Sequence, residues 1–562
     1  MAQGSAVSGS SSSNHTDAVH SPIAETQRRT RQPLPAQVDV AIVGCGLGGL
    51  QAGALLARSG LRVACLDAHY VAGGCATMYE RGRSDARYRF DVGLHYIGDC
   101  EPDGAIPTLL RRAGVQPPVF NRLDPDGFDT LVFPDFRFRI PADRDRYRDR
   151  LVEFFPKEKS GIDRYVRFLA EVDGMGRRMD KRGGKLSLGA AFDVLLHGRL
   201  MARYQNATVN QLLDDCTKDQ KLKAVLLGQS GDYGVPPSEA SALLHAGLAG
   251  HYFRGGGYYP KGGGQVFADD LARAIESAGS SVHLRKPVAQ ILVQGGKATG
   301  IRTEDGEVVQ ARAVISNADI RRTVLELLDP ADVPSEWRQK AETWQMGGAL
   351  ALIGLGLSCD VRELGMQATN YWQFDHYDGD AFYKKSFDGQ HMRPQGSYIT
   401  STTCKDPDTP GHAPAGHSAV EVMCLLPGDP KLWGVEEADI ATGKYRKNPQ
   451  YLQHKAEIEA DLVERFLTLF PGARGHVALI DTGTPVTHTR YTRATAGTGY
   501  GLAATPGQFL GQRPGYRSPI GGLYLAGAST RTGHGIVGAM TSGLRSAERL
   551  AADLGTPLQP GL

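Results

Sequence analysis

The chain lacks most of the features that would assign it quickly. It has no apolar run near the ~20 residues needed to span a bilayer; the longest, Gly347–Leu357, reads as a core strand. Its charge is nearly balanced, 63 Lys and Arg against 61 Asp and Glu, and no Lys/Arg stripe interleaves with aromatics, so nucleic acid is not an expected partner. The eight cysteines are scattered, with no C-x-x-C and no Cys/His group at zinc spacing, which argues against a metal site and against a disulfide framework. Cys45 and Cys65 read as small apolar fillers in a reducing, cytoplasmic setting. There is no P-loop, no nucleophile elbow and no closely spaced pair of catalytic carboxylates.

What is present begins at Val38. Val38–Val43 is a short apolar run of the kind that forms a parallel strand buried on both faces. It runs straight into Gly44-Cys45-Gly46-Leu47-Gly48-Gly49, a G-x-G-x-x-G. An Ala- and Leu-rich helix follows as far as Gly60, then a second strand ending at Asp67, 18 residues past Gly49. Gly44 permits the tight turn, Gly46 lets backbone approach a pyrophosphate, and Gly49 lets the helix pack on the strand. The helix N-terminus offers free N–H groups to phosphate, and Asp67 can accept from both ribose hydroxyls. The unit therefore reads as a dinucleotide site.

A second glycine pair, Gly73-Gly74, follows with Cys75, Ala76 and Thr77, just past Asp67-Ala68. This resembles the extended fingerprint of glutathione-reductase-type FAD proteins. Near the other end, Gly522–Ala528 is a strand entering a glycine turn at Gly527-Ala528, and Gly535-Ile536-Val537 opens a helix. The resemblance implies that this late unit returns to the flavin. Between them, Val288–Val293 starts a β-meander that ends at Ser316-Asn317-Ala318-Asp319, with hairpin signals at Gly295-Gly296 and Asp305-Gly306. In two-domain flavoproteins such a meander rejoins the FAD domain, so Val288 and Asn317 join the expected cofactor contacts.

Arg89–Gly98 reads as a strand broken by glycines, and glycine inside a strand often marks the close approach of a ligand. His95 and Tyr96 are therefore candidates to sit beside the flavin ring. If the strand is regular, one of the two faces the substrate. His95 is preferred as acid–base group because an unperturbed imidazole titrates near neutrality. The loop Gly255–Gly264 carries Tyr258 and Tyr259, which read as substrate contacts.

Residues 1–36 are polar, Ser-rich and expected to be disordered. Arg28-Arg29 is not followed by a hydrophobic stretch and is not read as an export signal. Leu151–Met179 and Lys185–Tyr204 look helical, the first rich in Lys and Arg, the second in Leu. Such a pair could dock on an anionic membrane surface; more often it is a solvated face beside a core face. The expected division is an FAD-binding domain from 37–118, 246–345 and 478–562, and a discontinuous α+β substrate domain from 119–245 and 346–477.

Taken together, VGCGLGGLQAGALLARSGLRVACLD, FDVGLHYIG, GGGYYPKGGG, ISNAD, TNYW and SPIGGLYLAGASTRTGHGIVGAM resemble the phytoene-desaturase-related flavoproteins. They are nearest in pattern to the branch of the retinol saturases (all-trans-retinol 13,14-reductases) and carotenoid isomerases. The resemblance covers about residues 37–555. It implies an α/β fold with a Rossmann-like FAD domain, and saturation, desaturation or cis-trans isomerisation of a long apolar polyene. It departs from the family pattern at Asp67, where Glu is usual, and in the polar segment 375–397. One dinucleotide fingerprint implies an external electron carrier: a quinone, dioxygen or a nucleotide. Two alternatives stay open, a flavin oxidase or monooxygenase of a smaller metabolite, and a lipid-binding escort without catalysis.

Overall fold

The computed structural model describes residues 28–83, 86–181 and 197–561. Among them, two seven-stranded sheets carry the architecture. In the first, Gln37–Val43 lies between Val63–Leu66 and Val308–Ser316, parallel to both. Ser281–His283 extends one side and Leu523–Leu525 runs beside the C-terminal half of Val308–Ser316, again parallel. The uninterrupted apolar run at 38–43 is explained by burial on both faces. Val40 and Ile42 pack among the helices Leu47–Arg58, Gln265–Ser277 and Gly535–Leu554. Ala41 and Val43 pack against the meander Val288–Gln294, Lys297–Thr303 and the helices Ile320–Leu325 and Ser335–Thr343. The helix Leu47–Arg58 stops at Gly60, whose φ of +86° only glycine adopts freely.

The second sheet is largely antiparallel, in the order Val477–Gly483, Ala349–Leu357, Ser418–Leu426, Gly396–Ser401, Asn370–Phe374, Asp129–Val132, Arg137–Ile140. One parallel pairing, Asn370–Phe374 on Asp129–Val132, joins the stretch around 130 to the stretch beyond 346. Alternation along these strands separates two faces. Ala351, Ile353, Val422 and Cys424 pack on the long helix Pro449–Leu469 through Ile458, Leu462 and Phe466. Leu352, Trp372, Tyr398 and Met423 turn the other way, toward a helical layer containing Lys159–Lys181 and Ala242–Tyr252. This second face is the one that matters for function.

The course of the chain differs from the sequence reading in three places. Residues 28–31 form a helical turn rather than disordered tail. Arg29 is only 2% exposed, donating to Glu276 at 2.9 and 3.1 Å, a pairing that polar composition conceals. The boundary expected at 477 falls at the start of strand Val477–Gly483, which belongs to the second sheet through its pairing with Ala349–Leu357. Strand Ala86–Asp91 ends before the glycines, so residues 92–98 are irregular. The basic segment matches the commoner reading of it: its apolar side, Ile162, Tyr165, Phe168 and Leu169, lies inside the helical layer. Most of its expected apolar partner, including Leu186, Leu188 and Phe192, lies outside the described residues. Among the described residues no helix is long and apolar enough to cross a membrane, and no group of His, Cys, Asp and Glu is placed to hold a metal ion.

Candidate active site

The site is built around backbone that side chains cannot enter. A Cβ on Gly49 would lie 2.2 Å from the carbonyl oxygen of Gly44, so that glycine sets the contact between helix and strand. Gly44 itself has a φ of +97°. A Cβ on Gly48 would meet Asn317 Oδ1 at 2.6 Å and Gly527 N at 3.0 Å. Three remote parts of the chain thus converge within one turn's width. The C-terminal helix completes the junction: a Cβ on Gly543 would lie 2.2 Å from Gly48 O, so the two helices cross in bare backbone contact.

Asp67, which the sequence predicts to hold a ribose, makes structural contacts of its own. Its Oδ2 accepts the Cys45 N–H at 2.6 Å and its Oδ1 the His69 N–H at 2.8 Å. The carboxylate therefore pins the glycine turn to the end of the second strand. Gly73 and Gly74 close over this turn. Gly46 and Gly73 form a parallel bridge, the Gly73 N–H donates to Cys45 O at 2.8 Å, and a Cβ on Gly74 would lie 3.2 Å from Gly46 Cα.

A cavity of about 1330 Å³ opens from this turn. That exceeds the roughly 300–1000 Å³ of a single-ligand pocket, and leaves room for a dinucleotide and a second molecule. Gly44, Gly46, Gly48, Asp67, Ala68, Gly73, Gly74, Ala76 and Thr77 line its first part, with Val288 and Asn317; Gly527, Ala528, Gly535, Ile536 and Val537 line the next. Gly49 stands behind, in the packing contact just described. Two helices, Leu47–Arg58 and Gly535–Leu554, begin here without a side-chain cap, leaving their first N–H groups and positive dipole ends to a ligand. Asn317 Oδ1 is buried without a partner. Glycine-only walls, two uncapped helix starts, an orphan acceptor and an acid beside them fit FAD. Asp67 and Gly44–Gly49 would hold the ADP half, and Gly527-Ala528 with Gly535–Val537 the flavin half.

The cavity continues into a chamber between the second sheet and the helical layer that covers it. Leu350, Leu352, Trp372, Tyr398, Met423 and Leu425 form one wall, and Leu244, Leu248 and Tyr252 the facing one. His95 and Tyr96 both line the cavity, because the irregular path of 92–98 removes the expected alternation. His95 differs from expectation in its chemistry. It is 7% exposed, and among the described residues neither ring nitrogen meets a partner at full hydrogen-bond geometry. Burial, and next the Lys405 charge, push its pKa well below the ordinary histidine value. Lys405 Nζ donates to the His95 carbonyl. His95 is thus a neutral imidazole at physiological pH, open to a ligand but not a proton store.

Tyr258 and Tyr259 lie outside the cavity. Strand Tyr258–Pro260 pairs with Phe120–Arg122, and Tyr259 is fully buried with its hydroxyl on Asp91 and Lys405 over its ring at 4.6 Å. The Gly-rich loop spends its amides internally as well: Gly262 N–H donates to Asp406 at 2.7 Å and Gly264 N–H to Asp91 at 3.0 Å. Tyr259 is a core residue and Tyr258 is half-buried at the core's edge with its hydroxyl on Glu101, so neither meets a substrate in the cavity, contrary to expectation.

Two acids at the chamber were not anticipated, Asp232 lining it and Asp129 buried behind it. Asp129 is fully buried; it accepts from Gln229 at 2.7 Å and Asn370 at 2.9 Å. Asp232 faces the cavity from the short 3₁₀ turn Ser230–Tyr233. The Tyr96 hydroxyl lies 2.8 Å from Asp232 Oδ2 and 3.2 Å from Asp129 Oδ2. Burial raises both pKa values, Asp129 to about 6 and Asp232 to about 7, the latter with help from the Asp129 charge. One signal for this was available: Asp129 interrupts the apolar stretch 128–133, where a lone acid must be buried.

Residues 47–551 match the family model described as flavin-containing amine oxidoreductase. The chain belongs to that family. It is an FAD-dependent oxidoreductase with the family's α/β fold. All-trans-retinol 13,14-reductase of Danio rerio is 30% identical over 534 residues, covering 91% of this chain and 85% of that protein. Prolycopene isomerase 1, chloroplastic, of an Oncidium hybrid cultivar is 26% identical over 531 residues, covering 92% and 84%. Among solved structures, cyclohexylamine oxidase from Brevibacterium oxydans superposes with a TM-score of 0.57 at 16% identity, covering 92% of this flavoprotein and 99% of that chain, a likeness of fold alone.

Proposed function

We propose that this flavoprotein saturates or isomerises carbon–carbon double bonds in a long apolar polyene of the retinoid or carotenoid class. The observation that carries the reading is the chamber: an extension of the cofactor cavity walled by Leu350, Leu352, Met423, Leu425, Leu244 and Leu248. Apolar walls of this kind gain free energy by burying a hydrocarbon chain, at roughly 25 cal/mol per Å². The two named relatives, a retinol reductase and a prolycopene isomerase, support the same substrate class. Bound FAD supplies hydride transfer at N5. The chain's own residues anchor the dinucleotide at two helix N-termini, orient the substrate along the second sheet, exclude water, and provide any proton. Electrons pass through an external carrier, a quinone, dioxygen or nucleotide. A substrate of this class partitions into lipid, so transient docking at a membrane surface is part of the proposal.

A second reading has one observation in its favour. Tyr96, Tyr252, Tyr398 and Trp372 pack on one another, and the Tyr96 hydroxyl meets two carboxyls, Asp129 and Asp232, a mix of rings and acids that attracts an amine cation. Tyr96 and Tyr252 stack directly, ring centroids 4.6 Å apart, which leaves no slot between them. The test is anaerobic reduction of the holoenzyme's flavin followed by all-trans-retinol, a poly-cis carotenoid, or primary amines offered to the oxidised form. Reoxidation by the retinoid, or conversion of the carotenoid to its all-trans isomer, is expected. Flavin reduction by amines with no polyene response would refute the first reading and support the second.

A further inference from the structure

Saturation of one double bond in a conjugated polyene needs a proton as well as a hydride, and the chamber offers few sources. His95 and His534 are held neutral: burial lowers both, His534 to about 4. Tyr96, Tyr252 and Tyr398 are pushed up by burial. Asp99, though burial opposes it, is lowered to about 2 by its bonds to His251 and Arg254.

The contacts of Tyr96 supply the remaining argument by counting hydrogens. Its oxygen lies within hydrogen-bond distance of two carboxylate oxygens, at 2.8 and 3.2 Å. A phenol carries one hydrogen, so it serves one of them at a time. With both carboxyls ionised, the other contact would set lone pairs against each other beside two buried like charges. One carboxyl therefore holds a proton. Asp129 accepts two amide N–H bonds, from Gln229 and Asn370, which favour its ionised form. The Asp232 carboxyl has Tyr96 as its one hydrogen-bond partner among the described residues, and it opens on the chamber. The proton belongs on Asp232.

We propose that Asp232 is the proton donor to the substrate carbon, with Tyr96 and Asp129 as positioning residues that set and restore its protonation. This rests on the polyene reading above. In saturation the Asp232 O–H bond breaks and a C–H bond forms at one alkene carbon; the hydride for its neighbour comes from reduced FAD, the two-electron reductant. As Asp232 becomes a carboxylate, Tyr96 turns its O–H from Asp129 to Asp232. Asp129 can release it because its amide donors remain. Solvent then returns the proton. The titratable groups around Asp232 are Tyr96 from the 92–98 segment, Asp129 from its strand, Tyr252 and Tyr398 from the two walls, Tyr233 beside it, Tyr383 and Tyr500, which feel its charge, and His534, whose Nε2 meets the Asp232 carbonyl at 3.1 Å; none is a cation at neutral pH.

The test uses holoenzyme. In infrared difference spectra between about pH 5 and about pH 9 without substrate, wild type should show the C=O band of a protonated carboxyl, and Asp232→Asn should lose it. Reoxidation of reduced enzyme by all-trans-retinol should slow ~10²-fold or more in Asp232→Asn with flavin content retained. The wild-type rate should fall as pH rises through the Asp232 titration. Tyr96→Phe removes a bond to the carboxylate and should move that limb to higher pH; Asp129→Asn removes a like charge and should move it to lower pH. Opposite shifts are not produced by general damage. A wild-type rate in Asp232→Asn, or shifts in the same direction, overturns the proposal. If wild type reacts with no polyene, the substrate reading has failed. The infrared band then decides alone: its absence overturns the shared proton, and its opposite displacement in the two variants upholds it.

Discussion

Replacing Asp67 with Asn tests whether the ribose acid also holds the cofactor turn in shape. The carboxylate accepts two backbone N–H groups, from Cys45 and His69. An Asn side chain has one acceptor oxygen, so in either orientation its NH₂ confronts one of those donors. The surviving bond loses its charge assistance, worth about 1 kcal/mol. The displaced N–H is left unsatisfied in a part-buried turn, at about 1–3 kcal/mol. The total is about 2–4 kcal/mol, or roughly 30- to 900-fold in a folding equilibrium. It falls on the protein before any cofactor binds. Flavin-stripped Asp67→Asn should therefore show a lower urea midpoint by tryptophan fluorescence than flavin-stripped wild type, and should retain less FAD when reconstituted. An unchanged midpoint with lost FAD would mean that Asp67 serves the cofactor alone and that the turn is held by other contacts. If both were unchanged, Asp67 would have neither role.

Gly46→Val should purify with little flavin, because its Cβ would stand 2.9 Å from Asn317 Nδ2 at the cavity wall; the absorbance ratio of flavin to protein reads this directly. Asp232→Asn should be more stable than wild type at high pH. The folded pKa of Asp232 is raised from 3.8 to about 7, so the native state binds more protons, and wild-type stability falls as pH rises from 3.8 toward 7. The gap between the proteins should widen by up to about 1.4 kcal/mol per pH unit there and level off above, as followed by denaturation midpoints; a constant gap would contradict it. Tyr259→Phe should lower thermal stability through loss of its bond to buried Asp91, while leaving KM for the polyene unchanged; a large KM effect would return Tyr259 to the substrate site.

The cofactor half was legible because its chemistry is local. Glycines at fixed spacing, a β-branched strand and an acid past the second strand sit within about thirty residues, and each has one physical use. The chamber was not legible for the opposite reason. Tyr96, Asp129, Asp232, Tyr252, Trp372 and Tyr398 come from separate segments, and no spacing links them. Tyr258 and Tyr259 were misread because a loop dense in glycine looks like a ligand cradle; only the structure shows Asp91 and Asp406 already on its amides. The failure of His95 as a proton store has the same origin. A histidine's pKa follows its burial and neighbours, and Lys405 is 310 residues away in sequence.

The meeting of Gly48, Asn317 and Gly527 also sets a timetable for the chain's synthesis. Gln37 needs Gln310 as its strand partner, and Val314 needs Leu523. The first glycine turn is therefore translated long before its walls exist, and its loop-closure entropy cannot be offset until the last helix emerges. A fragment ending before Gly527 keeps the glycine turn and Asp67 but lacks the wall that Gly527, Ala528 and Gly535–Val537 supply, so the full cradle closes only when distant segments have folded together.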